Sequence, residues 1–236
     1  MKFTVEPRPD LKLHGVKMNC DEQDSDDKYL KSIGLPGKHT CSYFVGGPGS
    51  GKTSLLYSLL HSCKPKFFRK YFDTINIWSP SLHTSSKSWR VQPECIKTEY
   101  NESEIEEVLS ELDNKDKNLL LLDDMIASIN RSGKGVLRTL FFNRRHRGIT
   151  LFLTSQRYNL LDLSLRTNLS HLFIWNTSKA ELLLIFEEKI SGLDKETWLA
   201  LCDFVFQEPH TFLYIQLVPS LKYYKNFEPI MISQEN

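Results

Sequence analysis

The run Gly46-Gly47-Pro48-Gly49-Ser50-Gly51-Lys52-Thr53 fits the spacing G-x-x-x-x-G-K-[ST]. At average glycine usage, one such match in a chain of this length has a chance of about 1%. Glycines at these positions let the backbone wrap with its N–H groups turned inward, forming an anion nest at a helix N-terminus. Lys52 then reaches the β- and γ-phosphates of a nucleotide, and the Thr53 hydroxyl ligates Mg²⁺. Ser54, next in the first helical turn, joins Gly46–Thr53 as a candidate phosphate-binding residue. The alternative, a Gly-rich turn with a solvated lysine, does not explain why the run falls between a predicted strand and a predicted helix.

A metal-bound nucleotide needs a carboxylate. Asp123, after four leucines, is the candidate for Mg²⁺. Asp124 follows directly, placed to orient or deprotonate an attacking water; its bland reading is a helix N-cap or turn aspartate. Hydrolytic sites of this kind often carry Glu there, and Asp is one methylene shorter. Gln156 closes Thr154-Ser155-Gln156, where a side-chain amide can sense the γ-phosphate or position water, or simply cap a loop.

Cations cluster downstream. Asn143-Arg144-Arg145-His146-Arg147-Gly148 places them at a predicted helix C-terminus, where dipole complementarity is worth a few tenths of a kcal/mol each. Three arginines exceed that need, and an arginine donated across a subunit interface stabilises charge on a transferred phosphoryl. Arg145 and Arg147 in this run are candidates, and Arg166, just before the Leu172 strand, is a second. Arg131 and Lys134, after the aspartates, are candidates for a nucleic-acid backbone.

Positioning these groups requires alternating elements. The pattern predicts strands at Cys41–Val45, Thr74–Trp78, Leu119–Leu122, Ile149–Thr154 and Leu172–Trp175, with an edge strand at Phe212–Val218. Helices are predicted at Thr53–Ser62, Ser103–Leu112, Val136–Arg147, Ala180–Lys189 and Lys195–Phe206. This alternation predicts an α/β fold: a mostly parallel, twisted sheet with helices on both faces, of the P-loop NTPase type. A strand and a helix separate the glycine loop from the Asp123 strand. The Ile149 strand is therefore expected between the two, its end at the γ-phosphate. Residues 1–39 read as a peripheral segment with a solvated acidic run at Asp21–Asp27, and residues 40–236 as one domain with its core at 40–176.

Composition narrows the partners. The chain has 236 residues, 40% of them hydrophobic and 25% charged, as in an ordinary globule. No apolar run approaches the roughly 20 residues of a membrane span, and the N-terminus has no secretory core, so a chain that is not secreted is expected. Five scattered cysteines without a C-x-x-C pair argue against a disulfide framework or a zinc ribbon. Thirty Lys and Arg against 29 Asp and Glu exclude a polycation that coats nucleic acid. The balance hides segregation: no acid occurs between Met125 and Leu161, while Glu99–Asp116 carries eight acids against Lys115. The two stretches are expected on different faces.

The phosphate loop, the LLLLDD strand, Arg-Arg-His before a strand, Thr-Ser-Gln at its end and Leu165-Arg166-Thr167-Asn168-Leu169-Ser170-His171 together resemble the genome-packaging ATPases of large double-stranded DNA viruses and virophages. This is the poxvirus A32-like branch of the FtsK/HerA superfamily. The resemblance covers about Thr40–Asn176. It implies a RecA-like domain using ATP and Mg²⁺, assembled as a pentameric or hexameric ring around double-stranded DNA. Such a motor pumps DNA into a preformed capsid at a vertex, in the host cytoplasm (the viral factory) or on the virion. It assigns Lys52 and Thr53 to phosphate and Mg²⁺, Asp123 and Asp124 to the acidic pair, Gln156 to the sensor position, and Arg145 to the trans-acting finger. Two other classes stay open: a small-molecule P-loop kinase, and a nucleotide-gated assembly module without useful hydrolysis.

Overall fold

The structure, a computed structural model, describes residues 2–5, 30, 35, 37, 39–80, 89–132 and 135–233. The acidic run Asp21–Asp27, most of the 1–39 segment, Lys134 and the side chain of Arg131 lie outside the described residues. The strands are β1 (Lys2–Val5), β2 (Cys41–Val45), β3 (Thr74–Trp78), β4 (Ile96–Lys97), β5 (Asn118–Leu122), β6 (Ile149–Ser155), β7 (His171–Trp175), β8 (Phe212–Gln216), β9 (Lys222–Lys225) and β10 (Glu228–Ser233). The helices are α1 (Lys52–His61), α2 (Glu102–Glu111), α3 (Ile126–Ser132), α4 (Gly135–Asn143), α5 (Leu163–Arg166), α6 (Lys179–Lys189) and α7 (Lys195–Val205).

These strands form one sheet in the order β1-β10-β9-β8-β7-β2-β6-β5-β3-β4. The half from β7 to β4 is parallel. As expected, β6 lies between β2 and β5. Residues of β2, β5, β6 and β7 are buried throughout, because helices cover both faces. Leu120 and Leu122 enter one core with α2, α3, α4, α6 and α7, whereas Leu119 and Leu121 enter the other with α1. Period-two alternation thus turns an unbroken apolar run into two cores.

The far half of the sheet departs from expectation. Phe212–Gln216 is not an edge strand; it lies between β7 and β9 and runs antiparallel to both. Phe44, Phe173, Tyr214 and Tyr224 are successive cross-strand partners over β2, β7, β8 and β9. Their rings stack at centroid distances of 4.4, 4.4 and 4.9 Å. Such aromatic pairs stabilise a sheet beyond their area burial, which welds the antiparallel extension to the parallel half. Lys2–Val5, read as peripheral, pairs antiparallel with β10 at the sheet edge.

The helix predicted at Val136–Arg147 ends at Asn143, and a turn carries residues 144–148 into β6. Gly148 sits there at φ +66°, and a Cβ would meet the Asn114 carbonyl oxygen at 2.5 Å. The acidic helix α2 is not on a separate face. It packs beside α4 over the same core, and a Glu102 carboxylate oxygen accepts from the Val136 N–H at 3.3 Å.

Candidate nucleotide site

At the carboxyl ends of the parallel strands, the glycine run leaves β2 and enters α1. The Gly46 N–H donates to the Ser155 carbonyl at 3.1 Å, tying the loop to the end of β6. A Cβ on Gly46 would come within 2.8 Å of both Ser50 and Trp175, so only glycine passes here. Gly51, the N-cap, sits at φ +109°, a conformation L side chains avoid. From it, the Gly51 carbonyl accepts the Leu55 N–H at 2.8 Å and the helix begins.

Lys52 is 9% exposed, and its ammonium donates to the carbonyls of Gly46 at 2.5 Å and Gly47 at 3.0 Å. Burial pulls its pKa down, while Asp124 and Asp123 oppose that shift. Asp123, at 2% exposure, accepts from the Thr154 hydroxyl at 2.8 Å and from the Ser79 hydroxyl at 3.1 Å. Burial raises its pKa; the hydroxyls and Lys52 only partly offset this.

Asp124 has φ +55°, in the left-handed region that aspartate tolerates better than most residues. Its N–H donates to Thr154 Oγ1 at 2.8 Å, and its carboxylate accepts from the Gln156 amide at 3.1 Å. One threonine hydroxyl therefore sets both aspartates. The structure brings the loop, Lys52, Asp123, Asp124 and Gln156 to one end of the sheet. A hydroxyl at Thr53 and a buried carboxylate at Asp123 are hard oxygen donors, the set that suits Mg²⁺. A carboxylate whose charge burial disfavours is one that a divalent cation would neutralise.

The arginines separate. Arg144 is buried, donating to the carbonyls of Phe141 at 2.5 Å and Asn168 at 3.2 Å. It holds the helix end in place. Arg145 and Arg147 are exposed, in the turn before β6. Seven strand residues separate that turn from Gln156, about 20 Å. These two side chains therefore lie about a strand length from their own nucleotide site.

Arg166 is a correction. Its guanidinium makes a bidentate pair with Glu188 at 2.9 and 2.6 Å, donates to the Leu161 carbonyl at 2.5 Å and lies 4.9 Å from the Tyr158 ring centroid. With those contacts it is a structural ion-pair partner, not a mobile finger.

Sequence reasoning missed Thr154, Ser79 and His210. Thr154 lies near the end of β6 and Ser79 just after β3, the two strands that flank β5, a positional cue available once strand order is assumed. His210 Nδ1 lies 3.2 Å from the Ser50 carbonyl, and nothing in its local sequence points to that contact.

The family model of the poxvirus A32 protein matches residues 38–210. The chain belongs to the poxvirus A32 protein family. No curated protein sequence matches significantly. Among solved structures, the genome-packaging NTPase B204 of Sulfolobus turreted icosahedral virus 2, in complex with ATP-gammaS, is similar at 16% identity and TM-score 0.58. The match covers 80% of this chain and 97% of that one. Its complex with AMPPCP gives 15% identity, TM-score 0.57, and coverage of 79% and 97%. B204 from Sulfolobus Turreted Icosahedral Virus, described as a DNA-packaging ATPase, gives 16%, 0.58, and 79% and 97%. At such identities the likeness shows the fold, that of P-loop NTPases. Membership of the A32 family and that fold make the chain a P-loop ATPase. Among the described residues of this A32-family chain, no helix is long and apolar enough to cross a membrane.

Proposed function

We propose that the chain is the ATP-hydrolysing motor that translocates double-stranded viral DNA into a preformed capsid, working as a homo-oligomeric ring. The observation that carries hydrolysis is the shared Thr154 hydroxyl, which fixes Asp123 and Asp124 at the phosphate loop while Gln156 holds the Asp124 carboxylate. Lys52 and the loop N–H groups bind the β- and γ-phosphates. Thr53 and Asp123 hold Mg²⁺, which supplies charge neutralisation for the transferred phosphoryl. Asp124 orients the attacking water and accepts its proton, and Gln156 fixes the carboxylate for that task. Arg145, with Arg147 beside it, reaches the phosphates of the neighbouring copy, since its own site lies at the other end of β6.

Arg131 and Lys134 meet the DNA backbone in this reading, and a capsid vertex is the docking partner, in the viral factory or on the virion. Family membership favours this motor over a small-molecule kinase or a nucleotide-gated module. The test is ATP turnover with and without double-stranded DNA, with oligomer mass measured in the same samples. Turnover stimulated by DNA in a closed oligomer supports the motor. A monomer whose turnover ignores DNA sinks it.

A further inference from the structure

Asp123 follows β5, which runs between β6 on one side and β3 on the other. Each neighbour sends the carboxylate a hydroxyl, and the two hydroxyls go to different oxygens. Thr154 of β6 donates to Oδ1 at 2.8 Å, and Ser79, just after β3, donates to Oδ2 at 3.1 Å. The two donors are not equivalent. Thr154 Oγ1 also accepts the Asp124 N–H, whereas the Ser79 bond reaches Asp123 from outside that shared contact. Ser79 is itself fixed. It is 1% exposed, its N–H donates to the Lys97 carbonyl of β4 at 2.9 Å, and the preceding carbonyl, of Trp78, accepts the Asp123 N–H at 2.8 Å. Pro80 follows and disfavours helical backbone at Ser79. Backbone bonds to β4 and β5 thus hold this hydroxyl beside the carboxylate.

We propose that Ser79 is a positioning residue for the metal site: with Thr154 it fixes the rotation of the Asp123 carboxylate, so that the group meets the cation in one orientation. The assignment rests on the reading of Asp123 as the Mg²⁺ carboxylate. A carboxylate turns about a broad, roughly two-fold torsion, so a hydrogen bond to one oxygen leaves the other able to swing. A bond on each oxygen, from strands on opposite sides, removes that freedom. At 2% exposure Asp123 has little water to replace a missing donor. An ionised carboxylate offers about four acceptor sites, so the two hydroxyls leave acceptor capacity for a cation. Outer partners of this kind orient a metal ligand, and losing one typically weakens metal affinity by about 10–100-fold. Through the Lys97 carbonyl, Ser79 also ties the metal site to β4 at the sheet edge.

The test separates the metal from the nucleotide. ATPγS binding to the full chain is measured in EDTA. Mn²⁺ is then titrated into ATPγS held by an excess of the chain, with free Mn²⁺ followed by its EPR signal. In Ser79→Ala, Mn²⁺ should bind about 10-fold more weakly, while the ATPγS Kd in EDTA stays unchanged. A residue that merely held the fold would not split the two readouts. Unchanged Mn²⁺ affinity, or an equal loss of ATPγS binding in EDTA, overturns the role of Ser79. If Ser79→Ala does not fold, Ser79→Cys nearly keeps the side-chain volume while replacing a strong donor by a weak one, and the same two readouts decide. Asp123→Asn controls the underlying reading and should weaken Mn²⁺ binding. If it does not, Asp123 is not the metal ligand, and the role of Ser79 falls with it.

Discussion

The two ends of the parallel strands carry opposite chemistry. At the carboxyl ends, glycines, two aspartates, a threonine and a glutamine converge, and their polar groups are bonded to one another. At the amino end of β6, Arg145 and Arg147 stand exposed. Both sets flank the same strand. The difference teaches that nearness in sequence to an active strand says little about nearness to the site. In a parallel sheet each connecting helix returns the chain to the amino end, so cations at the end of α4 fall a strand length from the nucleotide. A ring solves this if one copy's amino end meets its neighbour's carboxyl end.

The strongest way to break this contrast is Arg145→Ala. Turnover should fall by about 10³–10⁵, the range for an arginine finger, while ATP binding is kept. Mixing Arg145→Ala with Lys52→Ala subunits should restore part of it, because each variant supplies what the other lacks. Mixed oligomers that form but stay inactive would remove the trans assignment.

Arg166→Ala sharpens the comparison from the other side, at about 3 kcal/mol of stability. It leaves Glu188, with 15% of its side chain exposed, without its bidentate partner. Arg145→Ala, at an exposed turn, should stay within about 0.5 kcal/mol. Urea midpoints of the two variants decide whether the arginines divide into structural and exposed classes as described.

Acid should destabilise the fold as well. Burial pushes His171 down to about 3 and His61 to about 4, with Arg90 and Arg69 adding to the latter. Between pH 6.5 and those values the unfolded chain binds protons that the folded chain does not, so stability is full above 6.5 and falls with acid. Each histidine costs up to about 1.4 kcal/mol per pH unit in that window. Unfolding free energies measured from pH 7 to 4.5 should show this slope, shallower in His171→Gln. A flat profile would mean that neither ring is buried and neutral.

Much of the nucleotide end was legible because its determinants are local. Glycines at fixed offsets, a leucine run ending in Asp123-Asp124 and a strand ending in Gln156 each announce themselves within a few residues, and strand order followed from connection rules. Less was legible where contacts are distant. Arg166 looks free until Glu188, 22 positions away, closes on it. Phe212–Gln216 comes last among the predicted strands, and only its pairing with β7 on one side and β9 on the other shows it to be interior.

By itself, then, the sequence determined the phosphate loop, the acidic pair, the parallel half of the sheet and the family, since short-range spacing and periodicity encode them. Tertiary structure alone decided which arginines are bound, that Thr154 sets both aspartates, that α2 shares a face with α4, and that His210 reaches the loop. Those depend on where helices return the chain and which side chains then meet. Such contacts join residues as far apart as Ser50 and His210, and no local pattern records them.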